Sequence, residues 1–122
     1  DRLVGIGREF GTVTGGRRRC GGIDCVRLRK AVRLNSLTEL ALTKLDVLDT
    51  FDEVKVCTEY DDQGRPIYAV LPGWLTSIAE ANTVEALPKN AQALVSLIEK
   101  EVGIPITIVG TGAERDSYLS WE

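Results

Sequence analysis

Between Pro88 and Gly103 the apolar residues Ala91, Leu94, Val95, Ile98 and Val102 follow helical spacing. That pattern lines one face of an α-helix, and Gly103 supplies the left-handed residue that commonly ends one. Ile104 to Val109 follows at once as a β-branched run ending in Gly110-Thr111-Gly112, so a helix feeds a strand. An earlier stretch repeats the alternation. Asp24 can cap a helix running to about Asn35, with apolar positions at Val26, Leu28, Ala31, Val32 and Leu34 and basic side chains facing elsewhere. Residues 39–45 read as a buried strand, followed by an acidic turn from Asp46 to Glu53. Val54–Tyr60 and Ile67–Leu71 are two β-rich runs, and Asp61-Asp62-Gln63-Gly64-Arg65-Pro66 between them predicts a hairpin that Pro72-Gly73-Trp74 ends. Helices alternating with strands give an α/β class. Residues 1–23 hold Gly5, Gly7, Gly11, Gly15, Gly16, Gly21 and Gly22, and read as a loop able to approach a ligand closely.

At 122 residues the chain fits one domain with a real core, but not a large enzyme's complete site. No apolar run approaches the ~20 residues of a membrane span, so no membrane partner is expected. The start, Asp1-Arg2-Leu3-Val4-Gly5, lacks the apolar segment and cleavage site of a signal peptide. The sequence contains no Met, and with Asp at its first position it is expected to be a piece of a longer polypeptide. A net charge of −3 argues against a nucleic-acid binder. Cys20, Cys25 and Cys57 have no zinc-site spacing and no histidine to complement them, so reduced buried thiols are expected. The absence of histidine also excludes a His general base or a Ser-His pair on this chain.

Three segments carry candidate chemistry. In Gly11-Thr12-Val13-Thr14-Gly15-Gly16-Arg17-Arg18-Arg19-Cys20, glycines expose backbone N–H groups, threonines add hydroxyls, and arginine can grip a carboxylate or phosphate bidentately. A phosphate loop is excluded, because Arg17 stands where lysine is needed and Arg18 where Ser or Thr should be. A solvated basic loop and an anion-binding loop both remain open. Thr43-Lys44-Leu45-Asp46 closes a strand. A carboxylate there could accept from guanine N1–H and its exocyclic amine while a lysine stem covers the ring; adenine offers no such pair of donors. An ordinary strand end bearing one charge of each sign is the plainer reading. Gly110-Thr111-Gly112-Ala113-Glu114-Arg115-Asp116 follows the last strand, where α/β sheets place ligands, although a simple glycine turn also fits. Trp74 and Trp121 are read as core or interface anchors rather than stacking platforms.

Taken together, Arg8-Glu9-Phe10-Gly11, the arginine-rich loop ending at Cys20-Gly21, Ala31-Val32-Arg33-Leu34-Asn35, Leu40 to Asp49, Val54-Lys55-Val56-Cys57, Leu71-Pro72-Gly73-Trp74, Leu87-Pro88 and Gly110-Thr111-Gly112 resemble the adenylosuccinate synthetase family, in the family's order over nearly the whole chain. The resemblance implies a single α/β domain around a mixed central sheet with flanking helices, related to P-loop proteins, of which residues 1–122 form the carboxy-terminal portion. It implies a cytoplasmic, GTP-dependent ligase of purine synthesis, homodimeric when complete, that joins IMP and L-aspartate into adenylosuccinate. Residues 11–19 correspond to the aspartate loop, with Thr12, Val13, Thr14, Gly15, Gly16, Arg17 and Arg18 as its substrate contacts. Arg18 also reaches toward GTP; Lys44, Leu45 and Asp46 match the guanine-reading segment 43–46, and Gly110, Thr111 and Gly112 the last GTP-contacting turn. Gly16 stands where the family carries an arginine that contacts IMP and aspartate, Val13 replaces a threonine, and Gly22 a tryptophan. The family's phosphate loop, its Mg2+ ligands and its catalytic Asp and His belong to the missing amino-terminal portion, so no catalytic or metal-binding residue is expected here. The alternative is a non-catalytic guanine-nucleotide-binding module derived from that enzyme.

Overall fold

The computed structural model describes residues 3–5, 11–13, 20–112 and 117–121. Along the chain run β1 (Leu3–Gly5), β2 (Gly11–Val13), β3 (Cys20–Asp24), α1 (Cys25–Asn35), β4 (Glu39–Leu42), a 3-10 turn (Leu45–Leu48), β5 (Glu53–Tyr60), β6 (Pro66–Pro72), a second 3-10 turn (Val84–Ala86), α2 (Lys89–Val102), β7 (Ile106–Gly110) and β8 (Tyr118–Ser120). The strands form two four-stranded sheets, ordered β1-β4-β7-β8 and β2-β3-β5-β6. In the first, β1, β4 and β7 are parallel and β8 runs antiparallel. In the second, β3 and β5 are parallel, flanked by antiparallel β2 and β6. The α/β class with mixed pairing and flanking helices holds, the described strands falling in two mixed sheets. The two helical connections cross between sheets: α1 leads from β3 to β4, and the segment containing α2 leads from β6 to β7.

In α2 the five residues picked out by spacing, Ala91, Leu94, Val95, Ile98 and Val102, are the buried ones. Full burial of a Leu or Ile side chain contributes ~1.5–3 kcal/mol, which lets a 14-residue helix persist here. Gly103 at φ 90 accepts the left-handed exit, its N–H returning to the Glu99 carbonyl. The first helix has a thinner apolar face. Only Cys25 and Leu28 are buried, and Leu34, expected on that face, is 73% exposed. Polar contacts make up the difference. Asp24 caps α1 by accepting from Val26 N–H at 2.9 Å and Arg27 N–H at 3.1 Å. Arg29 Nη1 donates to the Glu101 carbonyl at 2.8 Å near the end of α2, and its Nη2 to the Thr58 carbonyl on β5.

Three further expectations change. Residues 1–23, read as a loop, contribute β1, β2 and most of β3. Glycine weakens a strand by itself, yet here the pairing is supplied from outside: Gly22 lies opposite Gly11 on one side and Lys55 on the other. The strand read over 39–45 stops at Leu42, because Lys44 adopts φ 60 and Leu45 begins a 3-10 turn inside the supposed acidic loop. The final strand begins at Ile106 and includes Gly110, and β8, short and unsignalled, was not anticipated. The hairpin of β5 and β6 forms as expected, with Asp61 and Arg65 closing it. Its outer strand β6 leaves Ile67, Tyr68 and Val70 exposed. The buried core joins both sheets and both helices.

Candidate functional site at the carboxyl ends of the parallel strands

Strands β4 and β7 are parallel, with Leu42 opposite Val109, so the segments leaving them emerge side by side. These are Thr43–Asp46 and Gly110–Gly112, two of the three candidates from sequence. They touch: a Cβ on Gly110 would lie 3.3 Å from both the Lys44 nitrogen and Thr43 Cα. Glycine at that position lets one backbone pass close to the other. The carboxyl edge of parallel strands is where open α/β sheets receive ligands.

Within the first segment the roles divide cleanly. Lys44 is exposed and turns the chain at φ 60 and ψ 33. Leu45 and Leu48 are fully buried and pin the 3-10 turn to the core. Asp46, half-buried in the first turn, has a carboxylate that neither accepts a hydrogen bond nor pairs with a cation among the described residues. Asp49 behaves differently. Its Oδ1 accepts from Trp74 Nε1–H at 2.7 Å and its Oδ2 from the Ile78 N–H at 3.3 Å. Burial pushes the Asp49 carboxyl above the ordinary carboxylate range, and those two hydrogen bonds act against the shift. Trp74 is therefore an interior anchor, as expected, and Trp121 packs half-buried against the core.

The second segment is held from within. Thr111 is fully buried; its N–H donates to the Ser117 carbonyl at 2.8 Å and its hydroxyl to the Ala81 carbonyl at 3.4 Å. Its side chain thus shapes the turn from inside. Gly112 is constrained too, since a Cβ would sit 3.1 Å from Ser117. Residues 113–116, which include Glu114, Arg115 and Asp116, lie outside the described residues.

Of the arginine-rich loop, Thr12 and Val13 are in β2, with Thr12 opposite Gly21 and Val13 opposite Cys20. Thr14, Gly15, Gly16, Arg17, Arg18 and Arg19 lie outside the described residues. The segment that holds them therefore joins two paired antiparallel strands. Cys25 and Cys57 are buried and free. Burial raises the Cys25 thiol to about 12, with Arg29 opposing, which leaves a poor nucleophile. No group of three or more His, Cys, Asp or Glu suited to a metal occurs among the described residues. No described helix is long and apolar enough to cross a membrane. Sequence reasoning missed Asp49, although Leu-Asp-Val-Leu-Asp and Pro-Gly-Trp both stood in the sequence; nothing local says that they meet.

A family model described as adenylosuccinate synthetase matches residues 1–119. The adenylosuccinate synthetase of Marinomonas sp. is 44% identical over 98% of this chain and 32% of its own length. That of Pelobacter propionicus is 45% identical over 98% of the chain and 31% of its own length. The solved structure of the fully ligated enzyme from Plasmodium falciparum superposes with a TM-score of 0.76 at 29% identity, covering 95% of this chain and 32% of that one. The chain spans about a third of the length of the relatives it matches.

Proposed function

This chain belongs to the adenylosuccinate synthetase family, and from that premise we propose that it supplies the guanine-reading and aspartate-gripping side of a GTP-dependent ligase that joins IMP and L-aspartate. The observation that carries the reading is the meeting of the 43–46 and 110–112 segments at the carboxyl ends of β4 and β7, with the Asp46 carboxylate unpaired among the described residues. That carboxylate accepts from guanine N1–H and the exocyclic amine, and the Lys44 stem covers the ring. Leu45 anchors the turn from below, while Gly110, Thr111 and Gly112 form the opposing wall by backbone approach. Adenine would present an acceptor and leave the carboxylate unpaired, at a penalty of ~1–3 kcal/mol or more for a charged group.

The loop 11–19 takes the carboxylates of aspartate, with Thr12, Val13, Thr14, Gly15, Gly16, Arg17 and Arg18 as its contacts and Arg18 reaching the GTP side. Phosphorylation of IMP and the Mg2+ that attends GTP belong to parts of the enzyme other than these residues. Localisation in the cytoplasm and dimerisation are part of the same proposal. Calorimetric titration of this chain with GDP and with ADP tests it. Saturable binding of GDP alone, abolished in Asp46→Ala, is the expected result; equal binding of both nucleotides would sink the guanine assignment. Gly16, in place of an arginine, favours a second reading, a non-catalytic guanine-nucleotide module. Adenylosuccinate formation by the complete polypeptide that carries these residues, present in the first case and absent in the second, separates the two.

A further inference from the structure

Of the contacts that tie the reading turn to the rest of the fold, those of Asp49 play no part in the function proposed above. The turn is short, and 3-10 runs of this length have poor hydrogen-bond geometry of their own. It closes through the Val47 N–H to the Lys44 carbonyl at 3.1 Å and the Asp49 N–H to the Asp46 carbonyl at 3.0 Å. Leu45 and Leu48 add burial, which is non-directional and leaves the turn's rotation loosely set. The directional contacts come from Asp49, whose two oxygens both accept, one from Trp74 Nε1 and one from the Ile78 N–H.

The other end of that contact is firmly placed. Trp74 is buried. Gly73 before it donates its N–H to the Asp52 carbonyl at 2.8 Å and accepts from Asn90 Nδ2 at 2.9 Å. It also packs so closely that a Cβ would fall 1.9 Å from the Phe51 carbonyl oxygen. The Pro72-Gly73-Trp74 corner is therefore a fixed point, and Asp49 fastens the turn to it. Asp46, one turn of 3-10 helix before Asp49, is tied to it through its backbone carbonyl, and its side chain has no hydrogen bond or ion pair among the described residues.

We infer that Asp49, held by Trp74, is the positioning residue that sets the orientation in which Asp46 meets a guanine base. The inference rests on the guanine reading above. It predicts that loosening Asp49 weakens guanine recognition without touching any group that contacts the base.

The test uses this chain with the substitutions Trp74→Phe, Asp49→Leu and Asp49→Asn, followed by amide exchange and by GDP titration. Trp74→Phe keeps most of the packing and removes the donor. Exchange at the Val47 and Phe51 amides should rise about tenfold in Trp74→Phe and Asp49→Leu, the scale expected for losing a hydrogen bond to a charged group. The Val95 and Ile98 amides in α2 should stay unchanged. GDP affinity should fall about tenfold in the same two variants. Asp49→Asn retains one acceptor, enough for Trp74 but not for the Ile78 N–H as well, and should show both effects at a smaller size. Unchanged exchange at Val47 and Phe51 overturns the inference, as does a loosened turn with undiminished GDP affinity. Absence of GDP binding by the unsubstituted chain would instead overturn the guanine reading, and exchange would then decide alone whether Asp49 fastens the turn.

Discussion

Two turns in this molecule each depend on one aspartate, and they are built in opposite ways. At the hairpin between β5 and β6, Asp61 accepts from Gln63 N–H at 2.9 Å, Arg65 N–H at 2.9 Å and Arg65 Nε–H at 2.9 Å. Every partner lies within four residues. At the 45–49 turn, the Asp49 carboxylate reaches Trp74 and Ile78, 25 and 29 residues away. The first turn is a self-contained solution to reversing the chain. The second exists only because two distant segments have already met, and it is the one that displays Asp46. A site built on long-range contacts forms when the fold forms, so its geometry is coupled to the core.

The glycine of the hairpin and the glycine of the corner that holds Asp49 separate local from long-range most sharply. Gly73→Ala would drive a Cβ to 1.9 Å from the Phe51 carbonyl oxygen, a backbone atom that cannot step aside without moving Asp49's neighbours. A loss of ~3 kcal/mol or more, up to failure to fold, is expected in denaturant unfolding. Gly64→Ala meets no atom within 4 Å and pays only for its φ of 79, roughly 1–2 kcal/mol. Equal costs at the two positions would break the comparison.

The left-handed residues sharpen it further. The hairpin places glycine at its left-handed position, Gly64, whereas the turn after β4 places Lys44 at φ 60. A lysine held there costs ~1–2 kcal/mol, and glycine would return part of that after its own entropy cost of ~0.5–1 kcal/mol. Lys44→Gly should therefore leave thermal stability unchanged or slightly raised while weakening GDP binding, if the Lys44 stem covers the base as proposed. A fall in stability beyond about 1 kcal/mol would show that the lysine side chain supports the fold rather than the ligand.

The same contrast explains what the sequence made legible. Helix α2 and its Gly103 stop were readable because their rules act over one or two turns of chain. The hairpin was readable because Asp61 and Gly64 sit inside it. The strand read through Leu45 was wrong because an apolar run does not reveal that Lys44 will turn left-handed against Gly110. Strands β1 to β3 were hidden because glycine-rich segments acquire strand pairing from partners such as Lys55 that are distant in sequence. Lys44, Asp46 and Gly110 were singled out in advance, and the structure places the Thr43 and Lys44 backbone against Gly110. Asp49 and the inward-facing role of Thr111 could not be read from sequence, since Trp74, Ile78 and Ala81 are brought to them only by folding.

The smallest expected effect concerns pH, and there the two aspartates should act with opposite sign. Burial raises the Asp49 carboxyl above its ordinary value of 3.8, with the Trp74 and Ile78 hydrogen bonds working against that shift. A folded pKa above the unfolded one means that Asp49's contribution is fully present below 3.8 and is lost as pH rises through the folded value. Asp61 is lowered, chiefly by the Arg65 N–H, so its contribution is present above 3.8 and is lost as pH falls through the lowered value. Unfolding measured across the acid range should show that Asp49→Asn removes a loss on the alkaline side of 3.8, and that Asp61→Asn removes one on the acid side. The Asp61 effect should be the smaller, because its carboxylate is open to solvent and screened. If Asp49→Asn instead removed an acid-side loss, the ionised carboxylate would be the stabilised form, and charge would hold the turn. The expected sign means that burial of the Asp49 carboxyl outweighs the two hydrogen bonds, which favour its ionised form. An asparagine keeps one acceptor, enough for Trp74 Nε1–H but not for the Ile78 N–H as well, while a leucine keeps none.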